Sequence, residues 1–406
     1  MIRAAVFDGP GRPFRFKTLP RPVLRDGEAL VRIKLCTVCG SDLHTFAGRR
    51  GGPTPCVLGH EAVGVVEELR GAVGGVDSKR PVEVGDRVVW SVTASCGDCF
   101  FCLRRLPQKC TALRKFGHES FAGVPVGGLA THCVLPAGTA IVRVPDAIPD
   151  AAAALAGCAV ATAIAAVSEG AKWYGPVPLA IARRTAAPGI TAEQVLADGP
   201  PYTTPGGVAV ILGAGLVGLS ACAALAAAGA KPAAVVACDV SDSRLSLARR
   251  FGATHTTHPA DAVELARSLT DGRGADFVLE ASGSPAAAAL SLDVARVGGK
   301  VVWVGTVSPT PSVPVDPEKV VRRCLELTGV HNYPWWHLAL AVGLLGSGRF
   351  PFSYLTEVRL PPGEAHAQPF PFAELVERSF PLDEVNEAFR FAEAEKPVRV
   401  AVENPG

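Results

Sequence analysis

The sequence predicts an α/β protein of two lobes, one β-rich and one built on a doubly wound parallel sheet. Three observations lead there. Met1 to about Ile148 runs as short apolar stretches broken by glycine and proline, the texture of a compact β unit. From Val208 to about Val307, apolar runs of strand length alternate with helical stretches, as βαβ units on a parallel sheet require. Between the first such strand and its helix lies Gly213-Ala-Gly215-Leu-Val-Gly218, a glycine spacing that gains meaning from that position.

Each element follows from its residues. Ala29-Leu-Val-Arg-Ile-Lys-Leu, Ala62-Val-Gly-Val-Val and Asp86-Arg-Val-Val-Trp are the early strands, and after Pro149 the chain turns to alanine-rich helix. Val208-Ala-Val-Ile-Leu opens the second lobe, followed by strands at Ala234-Val-Val-Ala-Cys, Phe277-Val-Leu-Glu and Lys300-Val-Val-Trp-Val-Gly. Pro309 to Pro317 reads as a linker, and Leu382-Asp-Glu-Val-Asn-Glu-Ala-Phe-Arg-Phe-Ala as a late helix. Segments near 173–205 and 360–371 lack a strong period and read as inserted surface loops.

The chain has 406 residues, enough for two or three domains of roughly 100–200 residues each. With 40 Lys+Arg against 38 Asp+Glu the net charge is only +2, which gives no basic surface for nucleic acid. Two charge-free stretches, Ala151–Val167 and Gly206–Ala230, resemble membrane spans by composition. The first is short and alanine-rich, and the second is cut by Gly213, Gly215 and Gly218, so both are expected inside a folded core. No leader pattern is visible at the start, and a cytoplasmic location is expected. In a reducing compartment the twelve cysteines are expected to bind metal or do chemistry rather than pair.

The glycine motif predicts a dinucleotide cradle. Gly213 permits the tight turn, Gly215 lets a pyrophosphate approach the backbone, and Gly218 allows close helix–strand packing, with the phosphates on the helix N-terminus. Asp239, 21 residues after Gly218, ends the next strand and is placed to bind the ribose hydroxyls of NAD. Arg244 nearby could take a 2′-phosphate, so NADP stays open as the lesser expectation.

Cysteines form two sites. Cys96, Cys99, Cys102 and Cys110 put four thiols within 15 residues, the donor set of a closed structural zinc site. Cys39-Gly-Ser41-Asp42-Leu-His44 and Gly59-His60-Glu61 instead offer thiolate, imidazole and carboxylate, the mixed set of zinc sites that keep an open position. Cys158 could complete the second set.

These motifs, with Val84-Gly-Asp-Arg-Val and Gly298-Gly-Lys-Val-Val-Trp-Val-Gly, resemble the zinc-dependent medium-chain alcohol dehydrogenases over most of the chain. More narrowly, Lys115-Phe-Gly-His-Glu and Gly127-Gly-Leu-Ala-Thr-His-Cys-Val-Leu-Pro resemble a branch named for phosphonate catabolism. The resemblance implies a GroES-like catalytic domain over 1–160 and 312–406 around a Rossmann domain over 161–311, with 171–205 as a loop inserted in it. It implies Cys39, His60 and Cys158 as catalytic-zinc ligands, Glu61 as a carboxylate near the metal, and Asp42 as the acid orienting the imidazole. Ser41 and His44 would form a proton relay, and Thr162 would lie near the nicotinamide.

The expected activity is hydride transfer between NAD(H) and an alcohol or polyol, with two zinc ions per chain, in a homodimer or homotetramer without nucleic-acid or membrane partners. Cyclitols and phosphorylated or phosphonate alcohols are open as substrates. Arg49 and Arg50, between the two ligand motifs, are candidates for clamping an anionic substrate. Two alternatives are carried: a catalytically silent dinucleotide sensor on the same fold, and a quinone or enone reductase lacking the catalytic metal. His118, His132, His255 and His258 are expected to be structural or exposed, and Trp335-Trp336 to pack or to contact another subunit.

Overall fold

The computed structural model describes residues 1–75, 80–170, 207–228, 232–347 and 370–404. The two expected insertions lie outside the described residues, apart from Phe370 and Pro371. In the first lobe β1 (Ile2–Val6) pairs antiparallel with β2 (Arg15–Leu19). Its main sheet holds β3 (Ala29–Thr37), β4 (Glu61–Leu69), β5 (Arg87–Ala94), β6 (Arg114–Lys115), β7 (His132–Leu135) and β8 (Thr139–Arg143). The antiparallel register sets Thr37 opposite Glu61 where β3 and β4 meet the active-site loops.

The second lobe is a parallel sheet of β9 (Val208–Leu212), β10 (Ala234–Cys238), β11 (His255–Thr257), β12 (Ala275–Glu280), β13 (Ala295–Trp303) and β14 (Glu326–Gly329). Their order is β11-β10-β9-β12-β13-β14. Strand order reverses between β9 and β12, which opens a crevice at the carboxyl ends of those strands. β9 and β10 are buried at every position, because helices cover both faces and no polar alternation is needed.

The expected boundary at 311 does not hold. β14, from beyond it, extends the parallel sheet beside β13, so Pro309–Pro317 is part of a crossover within the second lobe rather than a link between lobes. The return to the first lobe is made by β15 (Val376–Pro381) and β16 (Arg399–Glu403), with β16 antiparallel to β3 and Ala401 opposite Thr37.

Between the lobes runs a broken helix. A short helix Asp150–Ala153 and a 3₁₀ turn Ala154–Gly157 lead to Cys158, whose φ of −130° and ψ of −82° interrupt the spiral before the helix Ala159–Gly170. The two segments bend by 50°. Nearly all of Ala152–Val167 is buried, in a core shared with the helix Leu216–Ala227. That accounts for the uncharged stretches, and among the described residues no single helix is long and apolar enough to cross a membrane. Trp336 is buried within the chain, with Trp335 edge-on to it at 5.5 Å.

Candidate active site and dinucleotide cradle

Cys39 caps the short helix Gly40–Phe46, and Asp42 in its first turn accepts from the Cys39 backbone N–H at 3.0 Å. This reciprocal cap fixes the angle at which the chain leaves β3 and so aims the Cys39 thiol. The other Asp42 oxygen lies 3.4 Å from His60 Nδ1, and Ser41 Oγ lies 3.4 Å from His60 Nε2. Asp42 is thus beside the imidazole it was expected to orient. Burial works against its ionisation, but the His60 ring overcomes that and holds it below the usual carboxylate range.

Ligand atoms of Cys39, His60, Glu61 and Cys158 all lie within 4.8 Å of one another. Residues far apart in sequence therefore converge, with two soft sulfurs, one imidazole and one carboxylate, a donor set that suits zinc. The Cys158 thiol beside it, with the charges of Arg399 and His60, holds Cys39 well below the usual thiol range against the cost of burial. A thiolate is the form a metal requires. Tyr333 supports the fourth member, its buried hydroxyl donating to the carbonyl of Gly157 next to Cys158.

Two neighbours of this centre have no counterpart in the sequence reading. Arg399 of β16 donates to both Glu61 oxygens, and Thr37 Oγ1 donates to Oε2 at 2.7 Å. An arginine inside the apolar run Val398–Val402 was the available signal, since a cation on a buried strand needs a partner. His118, expected to be structural or exposed, instead has its ring 5.3 Å from that of His60. His132 and His258 are held by Glu67 and Asp242 at 3.1 Å.

The two arginines diverge. Arg49 donates from Nε to His44 Nδ1 at 3.1 Å and reaches Glu393 at 3.5 Å. Arg50 lies 3.5 Å from His118 Nε2. Because arginine only donates, His44 Nδ1 must accept, leaving its proton on Nε2.

Sulfurs of Cys96, Cys99, Cys102 and Cys110 gather within 4.8 Å of one another, with Cys110 3.3 Å and Cys102 4.0 Å from Cys96. Tetrahedral bonds of ~2.3 Å would separate sulfurs by about 3.8 Å, so the gathered sulfurs are spaced on the scale that one ion requires. Backbone N–H groups of Cys102 and Thr111 hold Cys99 down to about 5. All twelve cysteines are free thiols.

In the second lobe the glycines differ in the space around them. A Cβ on Gly218 would stand 1.8 Å from the Gly213 carbonyl oxygen, so only glycine fits there, whereas one on Gly215 would meet nothing within 4 Å. Gly215 is also exposed amid buried neighbours at the start of the helix Leu216–Ala227. That open backbone is where a pyrophosphate can approach. Asp239 accepts from Ala214 N at 2.7 Å and Ser241 N at 3.0 Å, fixing it beside the cradle. Arg244 donates to the Lys396 carbonyl at 2.8 Å, and Thr162 is buried one turn beyond Cys158.

Comparison with known proteins agrees with this geometry. Residues 25–146 match the alcohol dehydrogenase GroES-like domain, and 217–340 match the zinc-binding dehydrogenase domain. The chain is 30% identical to 5-exo-hydroxycamphor dehydrogenase of Pseudomonas putida, over 93% of this chain and 92% of the relative. It is 29% identical to sorbitol dehydrogenase of Bacillus subtilis, over 82% of each. An alcohol dehydrogenase structure from Thermotoga maritima superposes with a TM-score of 0.79 at 25% identity, covering 100% of this chain and 99% of that one. A GroES-like lobe with a four-sulfur loop, joined to a Rossmann lobe by a ligand-bearing helix, thus belongs to a member of the zinc-type medium-chain alcohol dehydrogenases, and this chain is one of that family.

Proposed function

We propose that the protein is an NAD-linked, two-zinc dehydrogenase of an alcohol or polyol. The convergence of Cys39, His60, Glu61 and Cys158 within 4.8 Å carries this reading. Cys39, His60 and Cys158 would hold the catalytic ion, Glu61 would stand by it, and Cys96, Cys99, Cys102 and Cys110 would hold a structural one. When bound, the catalytic zinc supplies Lewis acidity, which at the extreme brings the pKa of bound water from 15.7 to about 7.

The chain's own residues supply positioning and proton transfer. Ser41 Oγ, beside the ligand imidazole, is placed to take the hydroxyl proton of the substrate. His44, one turn further along the same helix, would pass that charge toward solvent. Asp42, 3.4 Å from His60 Nδ1, would orient that ring, as metal-bound imidazoles usually require. Gly215 admits the cofactor phosphates, Asp239 would bind the adenosine ribose, and Thr162 would border the nicotinamide. NAD is favoured over NADP because Asp239 would repel a 2′-phosphate.

Free thiols at all twelve cysteines suit the cytoplasm, and a homodimer or homotetramer is proposed by analogy with the family. A panel of alcohols and polyols, followed by NADH absorbance with and without a chelator, tests the reading. NAD-dependent turnover that is lost on chelation and restored by zinc supports it. Turnover of quinones or enones that is indifferent to chelation would replace it with the reductase alternative.

A further inference from the structure

Donors without acidic partners gather around the active site. His118 stands against His60, and the backbone beside it is tightly fitted, since a Cβ on Gly117 would lie 2.9 Å from the Gly59 carbonyl oxygen. Arg50 Nη1 reaches His118 Nε2 at 3.5 Å, and Lys115 lies three residues before His118, half-buried at the end of β6. From the other side, Lys109 donates to His331 Nδ1 at 2.7 Å. His331 is two residues before Tyr333, whose hydroxyl is bonded beside Cys158. Lys109 and His331 line a cavity of about 580 Å³ together with Trp303, Thr306 and Asn332, with Glu169 the acidic residue among its described lining.

Around Arg50 and Lys115 charge is one-sided, while Glu169 lines the cavity on the Lys109 side. Among the described residues no carboxylate comes within 4.0 Å of the Arg50, Lys109 or Lys115 charge. The nearby acids are spoken for: Asp42 by His60, Glu61 by Arg399, and Glu119 by Arg114. Burial, with Arg50 and Lys109 beside it, pulls Lys115 below the ordinary lysine range, and burial with Lys109 beside it brings His331 to about 4. Hydrogen bonding fixes the roles of the His118 and His331 rings. Each faces a cation with one nitrogen, which leaves the other as an N–H donor. Positive charge kept without acidic partners at the half-buried Arg50 and Lys115 is costly unless an anion enters, whereas Lys109 is exposed.

We infer that Arg50, Lys115 and Lys109, with the His118 and His331 imidazoles, form an oxyanion subsite beside the Cys39–His60–Cys158 centre, and that the substrate is an alcohol bearing a phosphate, phosphonate or carboxylate group. This rests on the dehydrogenase reading only for the word substrate; the anion site stands on the cluster itself. Arg50 supplies a planar pair of donors matched to an oxyanion, and Lys115 would add a compact charge.

Calorimetric titration of the zinc-loaded protein tests it. The probes are 2-hydroxyethylphosphonate, glycerol 3-phosphate and lactate, set against neutral propane-1,2-diol. At least one anionic alcohol is expected to bind tenfold or more tightly than the diol, with inorganic phosphate competing and the preference shrinking in 0.5 M salt. Arg50→Gln and Lys115→Gln, made separately so that a folding defect in one does not decide the matter, are each expected to weaken that anion tenfold or more. Equal binding of anionic and neutral alcohols, or unchanged anion affinity in both variants, would overturn the subsite. Anion binding without any NAD-dependent oxidation leaves the subsite standing and removes the dehydrogenase reading, whereas oxidation of neutral alcohols without anion preference does the reverse.

Discussion

Arg399 lies along the Glu61 carboxylate, Nε 2.8 Å from Oε2 and Nη2 3.1 Å from Oε1, joining residues 338 positions apart. The Glu61 side chain is 0% exposed and that of Arg399 only 12%. Burying such a pair costs desolvation, yet removing one partner leaves the other charge uncompensated, at roughly 3–5 kcal/mol. Arg399→Leu is expected to lower stability in urea by that order, and the double variant Arg399→Leu/Glu61→Leu to recover most of it. Equal losses in single and double variants would show that the stranded charge is not the cause.

A second expectation concerns the proton relay. Burial, then the Arg49 charge, holds His44 below its ordinary value of 6.5. The ring is therefore neutral to lower pH than a free imidazole would be. Arg49→Gln removes one of those causes, so the His44 pKa is expected to rise, and with it the acid limb of kcat/KM for alcohol oxidation. Proton NMR titration of the ring alongside the pH–rate profile checks this. A ring that titrates higher while the limb stays fixed would take His44 out of the relay.

Metal content separates the two cysteine sites. Wild-type protein is expected to carry two zinc ions per chain by elemental analysis, and Cys102→Ser or Cys39→Ser to carry one. Loss of the ion held by Cys39 removes several kcal/mol of transition-state stabilisation, or at least about a thousandfold in turnover. Loss of the ion at Cys102 is expected to appear first as a lower Tm, since a four-cysteine site has no open position for substrate. Two ions retained in Cys102→Ser would refute that site.

Stability should also depend on one buried imidazole. His337 is 1% exposed, donates from Nδ1 to the Pro334 carbonyl at 3.2 Å, and is lowered by burial to about 4. In the unfolded chain it protonates near pH 6.5, so between about 6.5 and 4 the unfolded state binds more protons and stability falls as pH falls. The contribution is complete above pH 6.5. His337→Gln is expected to flatten the Tm profile between pH 7 and pH 5, and an unchanged slope would assign that slope to other groups.

What could be read in the sequence was local. Cys39 with Asp42, the Cys96–Cys110 loop and Gly213–Gly218 each place their chemistry within one turn or loop, so spacing alone conveys geometry. Arg399 could not be paired in advance, because its partner is set by the register of β16 on β3. Arg49 and Arg50 are adjacent in sequence, yet the turn at Gly48, with φ of +74°, sends one toward Glu393 and the other toward His118. Pro309–Pro317 looked like a domain boundary because proline-rich crossovers and linkers have the same composition; only the pairing of β14 with β13 tells them apart.

One consequence follows from where two helices begin. The helix Ala159–Gly170 starts immediately after Cys158, the helix Leu216–Ala227 immediately after Gly215, and both lie in one tightly packed interior. Close-packed interiors transmit strain rather than absorb it. On the proposed roles, Cys158 and the Gly215 cradle would be mounted at the ends of a common beam, and whatever tightened the grip on a dinucleotide would also adjust how one sulfur meets its ion.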